Sequence, residues 1–232
     1  MNDMSPARSL SHVTDWVFDL DNTLYPRSCN LWAQIDVRIT RYVMDVTRLD
    51  HDAARVMQKG FYRDFGTTLN GLMQTHNIDP DHFLNTVHAI DYSPVMAHPE
   101  LVEAIGALPG RKFILTNADV GHAEAVLRRL GGGHLFDGVF DIRAMNYRPK
   151  PEPLAYEAFY KRHGIDPHRA VMFDDLEKNL VVPHQTGMAT VQVFAPDGYT
   201  AEGIEPWELQ HAGAPHVHHM TDNLVHFLAN RP

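Results

Sequence analysis

Two carboxylates, Asp19 and Asp21, stand two residues apart at the end of a short apolar run, Trp16 to Leu20. In an extended strand, residues two apart point the same way, so both acids could face one substrate. One could then act as a nucleophile while the other gives and takes protons, the usual division of labour for paired carboxylates. Further groups follow at similar junctions. Phe113-Ile114-Leu115 runs into Thr116 and Asn117, and Val171-Met172-Phe173 runs into Asp174 and Asp175. Lys150 lies between Pro149 and Pro151 and would bring a fixed positive charge. In open α/β sheets ligands sit beyond the carboxyl ends of the strands, so residues distant in sequence can meet there. Acids converging from two strand ends would repel unless a cation joins them, and hard oxygen ligands of this kind suit Mg²⁺.

The elements that must position these groups are legible as alternation. Apolar runs at Val17-Phe18, Phe113–Leu115, Val171–Phe173 and Ala189 to Phe194, with a weaker one at Gly138 to Ile142, read as buried parallel strands. Between them, Glu100 to Leu108 stops at Pro109-Gly110, Gly121 to Leu130 stops at three glycines, and Leu154 to Tyr160 follows Pro151 and Pro153; all three read as helices. Strands alternating with helices imply βαβ units and a Rossmann-like parallel sheet, an α/β fold. The stretch between Thr23 and Thr116 is far too long for a plain connection. Leu31, Ile35, Ile39, Tyr42 and Val46 recur at helical spacing, and Asp52 to Tyr62, Thr68 to His76 and Asp81 to Ala89 also read as helices, with Asp79 and Asp81 as cap candidates. The expected organisation is a core of residues 1–25 and 95–232 with a helical module, 26–94, inserted after the first strand.

Asp19-Leu20-Asp21-Asn22-Thr23-Leu24 resembles the first motif of the haloacid dehalogenase-like (HAD) hydrolases. Thr116-Asn117 is similar to their second motif, Lys150 to the third and Asp174-Asp175 to the acidic fourth, in the right order; the inserted helices resemble the cap domain. The resemblance implies a phosphatase in which Asp19 attacks phosphorus and Asp21 protonates the leaving oxygen, then activates water. It implies Mg²⁺ held by the Asp19 carboxylate, the Asp21 carbonyl and the acids Asp174 and Asp175. Thr116, Lys150 and the backbone near Leu20 and Asn117 would hold the phosphoryl oxygens. An acid two residues after the nucleophile favours phosphatase over dehalogenase chemistry. Asp21 to Pro26, Phe61 to Leu72 and Thr116-Asn117-Ala118 are similar to the pyrimidine 5′-nucleotidase branch, which implies a nucleoside monophosphate as substrate. A sugar phosphate or phosphoglycolate is the alternative, and a catalytically silent binding protein the rival from another class.

In the inserted module, Tyr25, Phe61, Tyr62 and Phe65 could stack on a base, with Arg63 and Thr67 at its edge; against this, Phe61, Tyr62 and Phe65 at helical spacing suit a helix core, and Arg63 a solvated charge. Asp119 and His122 could approach a substrate, although Asp119 also suits a helix cap. Of 16 histidines, His216, His218 and His219 cluster near the C-terminus with Asp222 as the nearby acid, which reads better as ordinary structure than as a metal site.

Length, composition and charge bound the rest. The 232 residues suffice for one substantial core with an accessory module, and 44% hydrophobic and 21% charged residues are ordinary for a globular protein. A net charge of −9 argues against a nucleic acid polymer as partner. The lone Cys29 cannot build a disulfide framework and reads as a structural thiol. The N-terminal stretch lacks a signal-peptide core, and no run approaches a membrane span. The expectation is a cytoplasmic monomer or homodimer with no membrane partner.

Overall fold

The computed structural model describes residues 7–195 and 213–232; Pro196 and Gly198, which follow the apolar run ending at Phe194, and most of Pro206 to Pro215, which reads as a loop in the sequence, lie outside them. Among the described residues, six strands form one parallel sheet in the order β3-β2-β1-β4-β5-β6. β1 (Asp15–Phe18) is central, between β2 (Arg111–Leu115) and β4 (Ala170–Asp174); β3 (Gly138–Phe140), β5 (Ala189–Val193) and β6 (His219–Thr221) complete it. The chemistry-bearing residues follow from this order. Phe18 pairs with Ile114 on one side and Phe173 on the other, so Asp19, Thr116 and Asp174-Asp175 leave three adjacent strands at the same edge.

The strands alternate between two cores, as a period of two requires. Trp16, Phe18, Ile114, Val171 and Phe173 face α5 (Pro99–Gly106), α6 (Val120–Leu130) and α9 (Leu224–Ala229). Val17, Phe113, Leu115 and Met172 face α7 (Pro153–His163) and α8 (Val181–Thr186). Trp16 is fully buried and donates its indole N–H to the Pro109 carbonyl at 2.7 Å. That bond satisfies the polar atom that would otherwise make a buried tryptophan costly.

Between β1 and α5 lie four helices, α1 (Leu31–Thr47), α2 (His51–Phe65), α3 (Thr68–His76) and α4 (Pro80–Val87). The starts of α2, α3 and α4 are capped by side chains: Asp50, Thr67 and Asp79 accept from the backbone N–H of Ala53, Asn70 and Asp81. Asp79 is therefore the cap at α4, while Asp81, expected as a second cap, reaches Arg143 instead, at 2.6 Å. Ile35, Ile39, Tyr42, Val43, Leu72 and Phe83 form the apolar interior of this module. The α/β architecture with added helices is that of a Rossmann-like core with a cap. Among the described residues, no helix is long and apolar enough to cross a membrane.

The C-terminal histidines serve the sheet. His219 opens β6, and its Nε2 lies 2.7 Å from the Arg8 carbonyl. His218 Nδ1 accepts from the Thr190 N–H at 3.2 Å, and burial, with the charges of His184, Arg8 and His219, lowers its pKa to about 4. The unfolded ring takes a proton below about pH 6.5, and the folded ring does so only near 4. Folding stability should therefore fall as pH drops from 6.5 to 4, and urea titrations across that window should show a shallower loss in His218→Gln than in the parent chain.

Gly110 sits at φ 78° in the turn before β2, where an added Cβ would lie 2.2 Å from the Thr14 carbonyl oxygen. Gly131 has a similar φ of 87° but open space around it. A left-handed residue with a side chain costs roughly 1–2 kcal/mol by itself, so Gly131→Ala should lose about that much. Gly110→Ala must also move backbone and should lose more than about 3 kcal/mol; thermal unfolding of the two variants side by side measures the difference.

Candidate active site

Asp19 continues the sheet by one bond, its N–H donating to the Phe173 carbonyl at 2.8 Å. One oxygen each of Asp19, Asp174 and Asp175 lie within 4.8 Å of one another, all three residues buried. Lys150 joins them: its Nζ is 2.7 Å from Asp19 Oδ1 and 2.7 Å from Asp174 Oδ2, and its side chain is 1% exposed. Burial works against the Lys150 charge, but the two carboxylates outweigh it and raise the amine's pKa. Burial pushes the Asp19 carboxyl up to about 7; Lys150 pulls it back, while Asp174 and Asp21 add to the rise.

The lysine is delivered by a loop, and Asn117 fixes that loop. Asn117 Nδ2 donates to the Lys150 carbonyl at 3.1 Å, and Asn117 Oδ1 accepts the Lys150 N–H at 2.8 Å. Asn117 thus spends its side chain on the Lys150 backbone. Thr116 is 1% exposed, and its hydroxyl accepts from the Ala118 N–H at 3.0 Å, tightening the turn after β2.

Asp21 stands apart from the acidic trio. Its Oδ1 accepts from the Tyr25 hydroxyl and from His122 Nε2, the latter at 2.6 Å. Burial tends to raise its pKa, but the charge and hydrogen bond of His122 prevail and lower it. For His122 burial opposes charge, and the Asp21 carboxylate more than restores it, raising the ring's pKa. Asp119 caps α6, accepting the His122 N–H at 2.8 Å, and pairs with His88 at 3.1 Å. It therefore serves as a helix cap, and His122 is a neighbour of the acid.

Two residues outside the sequence motifs belong to the site. Arg27, just before the inserted helices, places Nη2 2.6 Å from Asp175 Oδ2 with both side chains nearly inaccessible. No local pattern marked it, because its role depends on a partner 148 positions away. Asn179 donates to Asp174 Oδ1 at 2.9 Å, and its carbonyl accepts from the Tyr156 hydroxyl at 2.7 Å. Its fixed place five residues after Asp174 was a readable signal.

A single pocket runs from these groups to the helical module. Its floor includes Asp19, Asp21, Thr116, Lys150, Asp175 and Asn179, and its roof Trp32, Ile35, Ile39, Phe83, Leu84 and Val87. Tyr62 and Thr67 also line it. Of the aromatics considered for stacking, Tyr62 alone reaches this pocket, with Lys178 Nζ 4.5 Å from its ring centre. Phe61 and Phe65 pack edge to face on each other at 5.7 Å, Tyr25 is buried against Asp21, and Arg63 is an exposed partner of Asp64. His216, His218 and His219 bond to backbone and Thr190 rather than converging on a common point.

The donor set fits a hard divalent cation. Three carboxylates contribute one oxygen each to a small volume, and Asn179 Oδ1 is buried there without a hydrogen-bond partner among the described residues. An orphaned oxygen of this kind is what a cation's hydration shell would satisfy.

A sequence profile of haloacid dehalogenase-like hydrolases matches residues 17–180. The chain belongs to that family. Phosphate metabolism protein 8 of Saccharomyces cerevisiae is 28% identical over 222 residues, 87% of this chain and 67% of that one. The fructose-1-phosphate phosphatase of Escherichia coli is 30% identical over 95 residues, 40% of this chain and 50% of that protein. The crystal structure of a HAD phosphatase from Thermococcus onnurineus superposes with a TM-score of 0.58 at 16% identity, covering 94% of this chain and 97% of that one, a likeness of fold.

Replacing Asn117 with Ala removes both bonds to the Lys150 backbone and leaves the lysine itself intact. Displacements of about 1 Å at a reacting centre cost on the order of 10²-fold. Hydrolysis of p-nitrophenyl phosphate by Asn117→Ala should therefore fall by roughly 10- to 100-fold in kcat/KM, which steady-state kinetics will measure.

Proposed function

We propose that this HAD-family chain is a Mg²⁺-dependent phosphatase that hydrolyses small phosphate monoesters through an aspartyl-phosphate on Asp19. The observation that carries it is the pairing at one strand end of two carboxylates in different settings, Asp19 against Lys150 and Asp21 against His122. Asp19, Asp174, Asp175 and the Asp21 carbonyl would hold the cation. When bound it would supply positive charge that keeps Asp19 ionised and offsets the charge of the transferring phosphoryl group.

The chain's own residues divide the work. An Asp19 oxygen forms a bond to phosphorus while the phosphorus–ester oxygen bond breaks, and Asp21 gives its proton to the departing oxygen. The ionised Asp21 then takes a proton from water as that water attacks the phosphorus of the aspartyl-phosphate. Inorganic phosphate leaves, and Asp19 is regenerated. Lys150 holds Asp19 in place and, with Thr116 and the Asn117 N–H, would grip the phosphoryl oxygens, the main electrostatic demand of phosphoryl transfer. Residues 26–94 would act as the cap and 1–25 with 95–232 as the core.

For the leaving group, the likeness to a fructose-1-phosphate phosphatase supports a sugar phosphate. A second reading, a pyrimidine nucleoside monophosphate, draws on the apolar roof of Trp32, Ile35, Ile39 and Phe83, with Tyr62 at its side. A flat base would bury more apolar surface there than a hydroxylated sugar would.

Phosphate release from a panel of sugar phosphates, phosphoglycolate and nucleoside monophosphates should require Mg²⁺ and stop with chelator. Asp19→Asn, nearly isosteric, should lose about 10⁴-fold or more in kcat and should form no acid-stable, base-labile phosphoenzyme. Undiminished hydrolysis by that variant would remove the mechanism, and the rank order of the panel chooses between the two leaving groups.

A further inference from the structure

We propose that His122 is a positioning residue for Asp21, holding one carboxylate oxygen so that the other, Oδ2, is the atom that carries the proton to and from the substrate. The proposal rests on the phosphatase reading above.

The two oxygens of Asp21 are not equivalent. Oδ1 accepts from both the Tyr25 hydroxyl and His122 Nε2. Oδ2 has no hydrogen-bond partner among the described residues, and Asp21 borders the pocket that also holds Asp19 and Lys150. An aspartate's terminal torsion is broad and nearly two-fold, so a lone carboxylate presents either oxygen. Two donors aimed at one oxygen remove that freedom.

His122 is itself held on several sides. Its side chain has no exposed surface. Its backbone N–H is committed to Asp119 at the start of α6. The Tyr92 hydroxyl donates to the His88 carbonyl at 3.0 Å, so towards His122 Nδ1, also at 3.0 Å, it accepts. The ring thus donates from Nδ1 to Tyr92 and from Nε2 to Asp21. The His88 ring stacks on it at 4.6 Å. Tyr92 and His88 belong to the segment that returns from α4 to α5, so this segment braces the acid from behind.

Asp21 matters most when the leaving oxygen needs a proton. A p-nitrophenolate leaves without one, whereas an alkoxide does not. The leaving oxygen departs in the phosphorylation half, which kcat/KM reports, whereas kcat also includes the hydrolysis of the aspartyl-phosphate that both esters share. His122→Ala should lower kcat/KM on an alkyl phosphate such as glycerol 3-phosphate by about 10²-fold, within the range of general acid catalysis, and lower kcat/KM on p-nitrophenyl phosphate by less than about 5-fold. His122→Gln, which keeps a side-chain N–H donor, should recover part of the alkyl-ester loss. In an Asp21→Asn background, His122→Ala should cost nothing further. Tyr92→Phe removes the acceptor behind Nδ1 and should show the same selective loss on a smaller scale; it decides the matter if His122→Ala does not fold. Equal losses of kcat/KM on the two esters, or additive losses in the Asp21→Asn background, would overturn the positioning role while leaving the phosphatase intact. A parent chain that hydrolyses neither ester with Mg²⁺ would instead overturn the phosphatase reading, and this proposal with it.

Discussion

Three carboxylates gathered within 4.8 Å in a nearly dry cleft are the constraint around which the molecule is arranged. Two like charges at that spacing repel by about 3–4 kcal/mol even at an effective dielectric of 20, and burial adds a further cost for each. The fold answers with cations brought from afar. Lys150 comes from the loop beyond β3, and Arg27 from the segment that leads into the inserted helices. Removing either would strand a buried acid, so the site is held together by mutual need. A divalent cation would complete this balance. Such an arrangement is poor economy for stability alone, and its retention makes sense as preorganisation for a substrate that arrives with negative charge.

The sheet order turns this electrostatic problem into a tractable one. With β1 between β2 and β4, the polar ends of three apolar strands fall side by side without any long excursion of backbone. In the middle of these strands the side chains are apolar: Trp16, Phe18, Ile114 and Phe173 fill one face and Val17, Phe113 and Met172 the other. Above the edge, the inserted helices supply an apolar roof. Contacts that bridge roof and core include Arg143 with Asp81 at 2.6 Å and Lys178 over the Tyr62 ring at 4.5 Å. Both are side-chain contacts, with Arg143 and Asp81 accessible to water; contacts of that kind are weak enough to part when a product must leave.

What the sequence disclosed and withheld follows from the range of the forces involved. The apolar runs of β1, β2 and β4 and their polar ends are local, and local patterns expose them. Helices α1 to α4 are equally plain, because amphipathic spacing and a cap such as Asp79 lie within a turn or two. β6 escaped because its three residues, His219, Met220 and Thr221, form no apolar run; it exists through pairing with β5. α8 escaped because it is short and contains Pro183. In the site, Asp19, Asp21, Lys150, Asp174 and Asp175 were readable as an ordered set. Arg27 was not, since its significance lies wholly in a contact with Asp175. Asn117 was expected to offer its backbone to the phosphate, and no local pattern announced that its side chain would hold the Lys150 loop. Sequence order indicates proximity to a site more readily than it indicates which atom faces the substrate.

The opposite treatment of Asp19 and Asp21 shows how neighbouring carboxylates come to hold different tasks. Burial and fellow acids push Asp19 up to about 7, and further positive charge beside it would favour the anion that the proposed attack requires. His122 depresses the pKa of Asp21 and favours the carboxylate, the form that would take a proton from water in the second half of the proposed reaction. The first half needs the protonated form, and a phosphate dianion entering the cleft raises the affinity of a nearby carboxylate for a proton. After the ester bond breaks and the leaving group departs with that proton, the balance returns to the carboxylate just as water must be activated. A fixed environment around Asp21 can therefore serve both halves, because the substrate itself shifts the equilibrium between them.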